Sequence, residues 1–135
     1  MGSENAKTPQ GIVSKPSRHS VQDTLSNLES TVRSRGLTVF RVIDHSGEAA
    51  RVGLKMRESK LLLFGNPKLG GPLMIASPLL GLDLPLKALV WKDDKENVWV
   101  SYNSVPYLAS RYSISDDLIK NISGIDAVID AALSS

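Results

Sequence analysis

Apolar residues along the chain follow two kinds of pattern. Between residues 20 and 35, Val21, Leu25, Leu28 and Val32 recur at spacings of four, three and four, which places them on one face of a helix. Ser20 is positioned to cap that helix with Asp23 three residues on. Arg33 and Arg35 suit the negative end of its dipole, and Gly36 can take a left-handed stop. The periodicity returns near the C-terminus, where Leu118, Ile122, Ile125, Ile129 and Leu133 share a face behind Ser115, a capping residue followed by Asp116 and Asp117. Gly124 interrupts this helix, either as a break or as a close helix contact.

The second pattern predicts strands. Residues 37–43 (LTVFRVI) are rich in β-branched and aromatic side chains, and residues 60–64 form a short, nearly continuous apolar run. Residues 86–92 and 98–102 flank a polar turn and predict a hairpin. In its second arm Val98, Val100 and Tyr102 point one way, Trp99 and Ser101 the other. Residues 11–15 predict a short first strand that Pro16 ends. Shorter helices are predicted over 48–52, from about Pro72 to Leu80 with Pro78 kinking or shortening it, and over 105–112.

The order β-α-β-α-β-α-β-β-α predicts an α/β fold of the two-layer, α+β kind: a mixed sheet of four to five strands with helices mainly on one face. The runs at 61–64 and 86–91 are apolar on both sides, so the other face needs cover as well. A second copy of the chain is the simplest cover, which predicts a homodimer. The 135 residues suit one domain, over residues 10–135, behind a polar, disordered or tag-like stretch at 1–9.

Composition removes chemistries. With no cysteine there is no disulfide, thiolate nucleophile or cysteine–zinc site. Sixteen basic against 14 acidic residues leave a net charge of +2, without the basic excess that marks nucleic-acid binding. There is no signal-peptide core and no apolar run near the roughly 18 residues of a membrane span, which predicts a cytoplasmic protein with no membrane partner. His19 and His45 are the only histidines, no metal-ligand spacing links them, and no cofactor motif occurs.

Candidate sites lie at element ends. Asn66, Lys68, Gly70 and Gly71 sit in a turn between a strand and a helix, where backbone N–H groups attract anions; the alternative is that the glycines and prolines only set the turn. Asp44 and His45 end a strand, where Asp44 can orient a catalytic imidazole; the alternative is that Asp44 starts the turn by bonding backbone N–H groups and His45 caps the next helix. Lys87 stands between Leu86 and Ala88. Desolvation there would make it an amine base or nucleophile, unless its stem packs on the sheet and its head reaches solvent or Asp83. Tyr102 and Asn103 end the last strand and can bind a polar ligand or hold a loop.

Several local motifs resemble the domain of unknown function 302 family, composed mostly of small bacterial proteins. They are Gly36-Leu37-Thr38-Val39-Phe40, Leu63-Phe64-Gly65-Asn66-Pro67-Lys68, Gly71-Pro72-Leu73-Met74, Gly81-Leu82-Asp83-Leu84-Pro85-Leu86-Lys87 and Val98-Trp99-Val100-Ser101-Tyr102-Asn103. The resemblance spans roughly residues 12 to 133. It implies a compact α/β fold, often dimeric, and no particular activity. Gly71 stands where the family commonly has Thr, and Tyr112 where it commonly has His.

Three functions follow as expectations. The first is a homodimeric binding domain for a small polar or anionic ligand, its pocket between the 66–71 turn, the Asp44-His45 strand end and Lys87. The second is a cofactor-free isomerase, cyclase or lyase with Lys87 or His45 as base. The third is a protein-interaction scaffold.

Overall fold

The structure, a computed structural model, describes residues 9–135, so the expected tag-like stretch lies, but for Pro9, outside the described residues. Five strands build one sheet: β1 (Ile12–Ser17), β2 (Thr38–Asp44), β3 (Ser59–Gly65), β4 (Leu86–Lys92) and β5 (Val98–Asn103), in the spatial order β1-β5-β4-β3-β2. Every ladder is antiparallel, where the sequence led us to expect a mixed sheet. The β2–β3 connection, residues 45–58, and the β4–β5 turn, residues 93–97, each bring the chain back to the sheet at the end where the preceding strand finished.

The helices are α1 (Val21–Ser34), α2 (His45–Arg51), α3 (Pro67–Ala76), α4 (Val105–Tyr112), α5 (Asp116–Ile119) and α6 (Ile125–Leu133), with single 3-10 turns at Pro78–Leu82 and Lys120–Ile122. Helix α1 forms for the reasons visible in its sequence. The Ser20 hydroxyl accepts the Asp23 N–H at 3.0 Å, and Gly36 takes the left-handed stop at φ +75°. Val21, Leu25, Leu28 and Val32 are all buried, against the sheet and against α6. Beneath them lie Leu62 and Phe64 of β3, Ala88 and Val90 of β4, and Val98, Val100 and Tyr102 of β5. Each fully buried large apolar side chain contributes about 1.5–3 kcal/mol.

Two helices differ from expectation. Helix α3 begins at Pro67, not near Pro72. Asn66 caps it by accepting the Lys68 N–H at 2.9 Å, Pro67 fills the first turn, and Pro72 is carried inside. The C-terminal helix is broken into α5, a 3-10 turn and α6, with Gly124 at the last junction.

The opposite sheet face is another matter. Leu61, Leu63, Leu89, Trp91 and Trp99 point away from α1 and α6 and remain only partly buried. The two indoles stack at 6.5 Å between centroids. The Trp91 N–H donates to the Ser101 hydroxyl at 2.9 Å, and that hydroxyl is bonded to Ser14 at 2.7 Å. The polar atoms on this face are satisfied while its apolar surface is not.

Candidate functional site

A cavity of about 650 Å³ opens at the end of the sheet where β3 finishes and β4 begins. It exists because bulk is missing where elements would otherwise meet. Gly65 closes β3, Gly70 lies in α3, and Gly124 and Ala127 lead and face α6. Phe40 supplies one wall. The β2–β3 register slips between Val39 and Arg41, and at this bulge the Phe40 ring lies beside Gly65, where an added β-carbon would sit 3.8 Å from it. Phe64, Met74, Leu84 and Val128 extend the apolar lining.

Polar side chains reach the wall at three positions. Arg35 follows the last turn of α1, three residues before Thr38, the residue paired with Gly65. Asn66 caps α3, and Asn121 donates from its amide to the Leu69 carbonyl at 3.0 Å, holding the 3-10 turn against α3. Among the described residues Arg35 joins no ion pair, and no acidic side chain lines the cavity.

Lys87 is not on this wall. It lies on the opposite sheet face, beside Leu63, and its ammonium donates to the Pro85 carbonyl at 3.1 Å. Burial pushes its pKa down, and the nearby Asp83 carboxylate partly opposes that. Asp83 is held in turn by the Tyr112 hydroxyl and by Arg111, whose guanidinium is 3.0 Å away. The bond to Asp83 pushes the Tyr112 phenol up. Lys87 therefore belongs to a polar cluster at the Gly81–Pro85 bend rather than to a hollow.

The sequence matches the family described as Domain of unknown function DUF302 over residues 13–132. The chain belongs to the DUF302 family. It superposes on the crystal structure of an uncharacterized conserved DUF302 protein from Bacillus stearothermophilus with a TM-score of 0.77, over 93% of this chain and 98% of the other. At 16% identity that likeness speaks for the fold alone. It is also 40% identical over 113 residues to the fluoride-specific ion channel FluC 1 of Brucella suis biovar 1 (strain 1330), a match covering 82% of this chain and 44% of that protein. The corresponding FluC 1 of Brucella abortus biovar 1 (strain 9-941) is again 40% identical over 113 residues, with 42% of its length covered. The chain thus spans less than half the length of the curated relatives it matches.

In the DUF302 chain, the candidate residues do not meet in one pocket. Asn66 and Gly70 line the cavity; Lys68, Gly71, Tyr102 and Asn103 do not. Asp44 and His45 lie at the far end of β2, opposite Lys60, roughly 20 Å along the strands from the cavity end. The expected pocket joining the 66–71 turn, Asp44-His45 and Lys87 is therefore replaced by one on the helix side. Asp44 caps α2: its carboxylate accepts from the Gly47 N–H at 2.9 Å and from the Ser46 hydroxyl at 2.7 Å, and these bonds hold its pKa down. Tyr102 is buried and donates to Asp126; burial first, and then that bond, push its phenol up to about 12. Asn103 pairs with Ile12 across the β1–β5 ladder.

Arg35, Phe40, Asn121 and Ala127 had no place in the site read from the sequence. The available signal was the set of glycines at 65, 70 and 124, which marks positions without side chains without showing that they converge.

Proposed function

We propose that the protein is a homodimeric small-molecule binding domain acting in the cytoplasm, with its ligand in the cavity between α3, α6 and the β3–β4 end of the sheet. The cavity carries this reading. Its volume falls in the range that holds small ligands, and a few polar groups converge on an otherwise apolar wall. The half-exposed tryptophans and leucines on the opposite face support the dimer, because a contiguous apolar surface of that kind is lowered in energy by a partner. Among the described residues the wall holds no carboxylate, histidine or lysine to act as a proton-transfer base, which weighs against the isomerase or lyase reading at this cavity. Native mass spectrometry of protein purified from its own host tests the proposal. A bound small molecule that is lost in a Gly70→Leu variant supports it. A protein of bare mass that no small molecule stabilises against heat rejects it.

The relatives favour a second reading. Proteins named as fluoride-specific ion channels match this chain over less than half their length. No helix of the described residues is long and apolar enough to cross a membrane. A channel's conducting part would then occupy the remaining length, and this domain would act as an attached module that grips or tunes it. Loss of fluoride tolerance in a host lacking the chain, restored by the chain but not by a Trp91→Glu variant, would support that scaffold role. Unchanged tolerance would remove it.

A further inference from the structure

We infer that the cavity takes an amphiphilic monoanion: an aliphatic or arylaliphatic carboxylate with its apolar body inside and its carboxylate at Arg35. This rests on the binding-domain reading above and adds the ligand's class. The wall is chemically two-sided. Leu37, Phe40, Leu69, Met74 and Leu86, all at least partly exposed, offer an incoming molecule only hydrocarbon, aromatic or thioether surface. A ligand that is polar throughout would lose its water there without receiving hydrogen bonds, which is costly for each group buried. The polar side chains on the wall come from one neighbourhood. Arg35 lies near the β2 residue that pairs with Gly65, Asn66 follows Gly65 directly, and Asn121 is tied to the first turn of α3.

The charge on that side is of one sign. Among the described residues Arg35 is the only cation lining the cavity, it is exposed, and no acid on the wall neutralises it. A guanidinium presents a planar fork that matches a carboxylate through two parallel hydrogen bonds. Asn66 uses its side-chain oxygen on the Lys68 N–H and Asn121 uses its amide N–H on Leu69. That leaves the Asn66 amide as a further donor, and one N–H and the oxygen of Asn121. A carboxylate, which accepts from several donors, suits the first two side chains.

Isothermal titration of the full chain with hexanoate, octanoate and decanoate, beside decanol and decyltrimethylammonium, tests the assignment. Affinity should rise about fourfold per added methylene until the cavity is full. Decanoate should bind at least about tenfold tighter than decanol, and Arg35→Gln should remove that advantage while leaving decanol unchanged. The ammonium should bind more weakly than either. Gly70→Leu, which fills the cavity, should abolish binding of all of them and so excludes uptake on the general surface. Equal affinity for decanoate and decanol, or an undiminished preference in Arg35→Gln, overturns the anion assignment while the binding-domain reading stands. Binding by none of the probes overturns both.

Discussion

The two faces of one sheet are built from similar residues and meet different fates. On β3, Leu62 and Leu63 are neighbours of identical chemistry. Leu62 is fully buried under α1, whereas Leu63, one residue on and therefore on the other side, remains partly in water beside Lys87. The inner face is completed by the chain's own helices. The outer one keeps its leucines and tryptophans partly in water, and its polar atoms already bond to one another through Ser14, Ser101 and Trp91. Cover from within the chain and cover from outside it leave different signatures, and substitutions separate them.

The largest effect should come from Leu62→Ala, which leaves a hole in a closed core and should cost about 2–5 kcal/mol in urea unfolding, independent of protein concentration. Leu63→Ala should cost less in dilute solution, with a cost that grows with concentration as copies associate. Equal, concentration-independent losses would erase the distinction between the faces. Next is Trp91→Glu, which should weaken the proposed dimer by at least about thirtyfold in sedimentation equilibrium while leaving the helical circular-dichroism signal intact. Unchanged association would place the interface elsewhere.

A smaller effect sharpens the cavity side. Gly70 and Gly71 are adjacent in α3, but a methyl at Gly70 would touch Leu84 at 3.6 Å on the cavity wall, while one at Gly71 meets nothing within 4 Å. Gly71→Ala should therefore stabilise by up to about 1 kcal/mol through helix propensity and leave ligand affinity alone. Gly70→Ala should reduce affinity for the same ligand.

Two pH effects complete the series. Asp93 accepts from the Trp99 indole at 2.8 Å and from the Lys95 and Asn97 N–H groups at 2.9 Å each; these bonds hold its pKa at about 2, below the ordinary 3.8. A depressed carboxylate contributes stability above pH 3.8 that disappears as pH falls through about 2. The urea midpoint should drop over that window in the natural chain and stay flatter in Asp93→Asn. For Lys87 the slope has the same sign, in a window near its ordinary value. Its folded pKa lies below 10.5, so the native state binds fewer protons than the unfolded one as pH approaches 10.5, and stability should rise there. Lys87→Met should remove that rise; its persistence would assign it to another group.

Elements written in local periodicity were legible. Val21, Leu25, Leu28 and Val32 point inward as their spacing requires, and Val98, Val100 and Tyr102 share the inner face as their alternation requires. The family and the two-layer α/β architecture were legible too, because both rest on residues that are neighbours in sequence. The site was not. Its wall joins positions 35, 40, 66, 84, 121 and 128, brought together by strand order and by a bulge that no local pattern announces. Lys87 drew attention by standing among apolar neighbours, but period-two geometry places it with Leu63 on the outer face, whereas the cavity lies on the inner one. The start of α3 was misjudged because Gly70, Gly71 and Pro72 weigh against a helix, while the Asn66 cap and Pro67 nucleate it five residues earlier.

The extra residue at Phe40 has a reach beyond the wall it forms. Strand β2 is a sheet border, and an uninterrupted border offers a row of free amides and carbonyls on which a foreign strand can zip. The slip between Val39 and Arg41 spoils that template halfway along. Growth of the sheet by sideways recruitment along this border is thereby discouraged, and the association proposed above is left to the broad tryptophan-bearing surface. Deleting Phe40 should straighten the rim, and the same change that uncovers the ligand hollow should make the chain prone to stack edge on edge into fibrils.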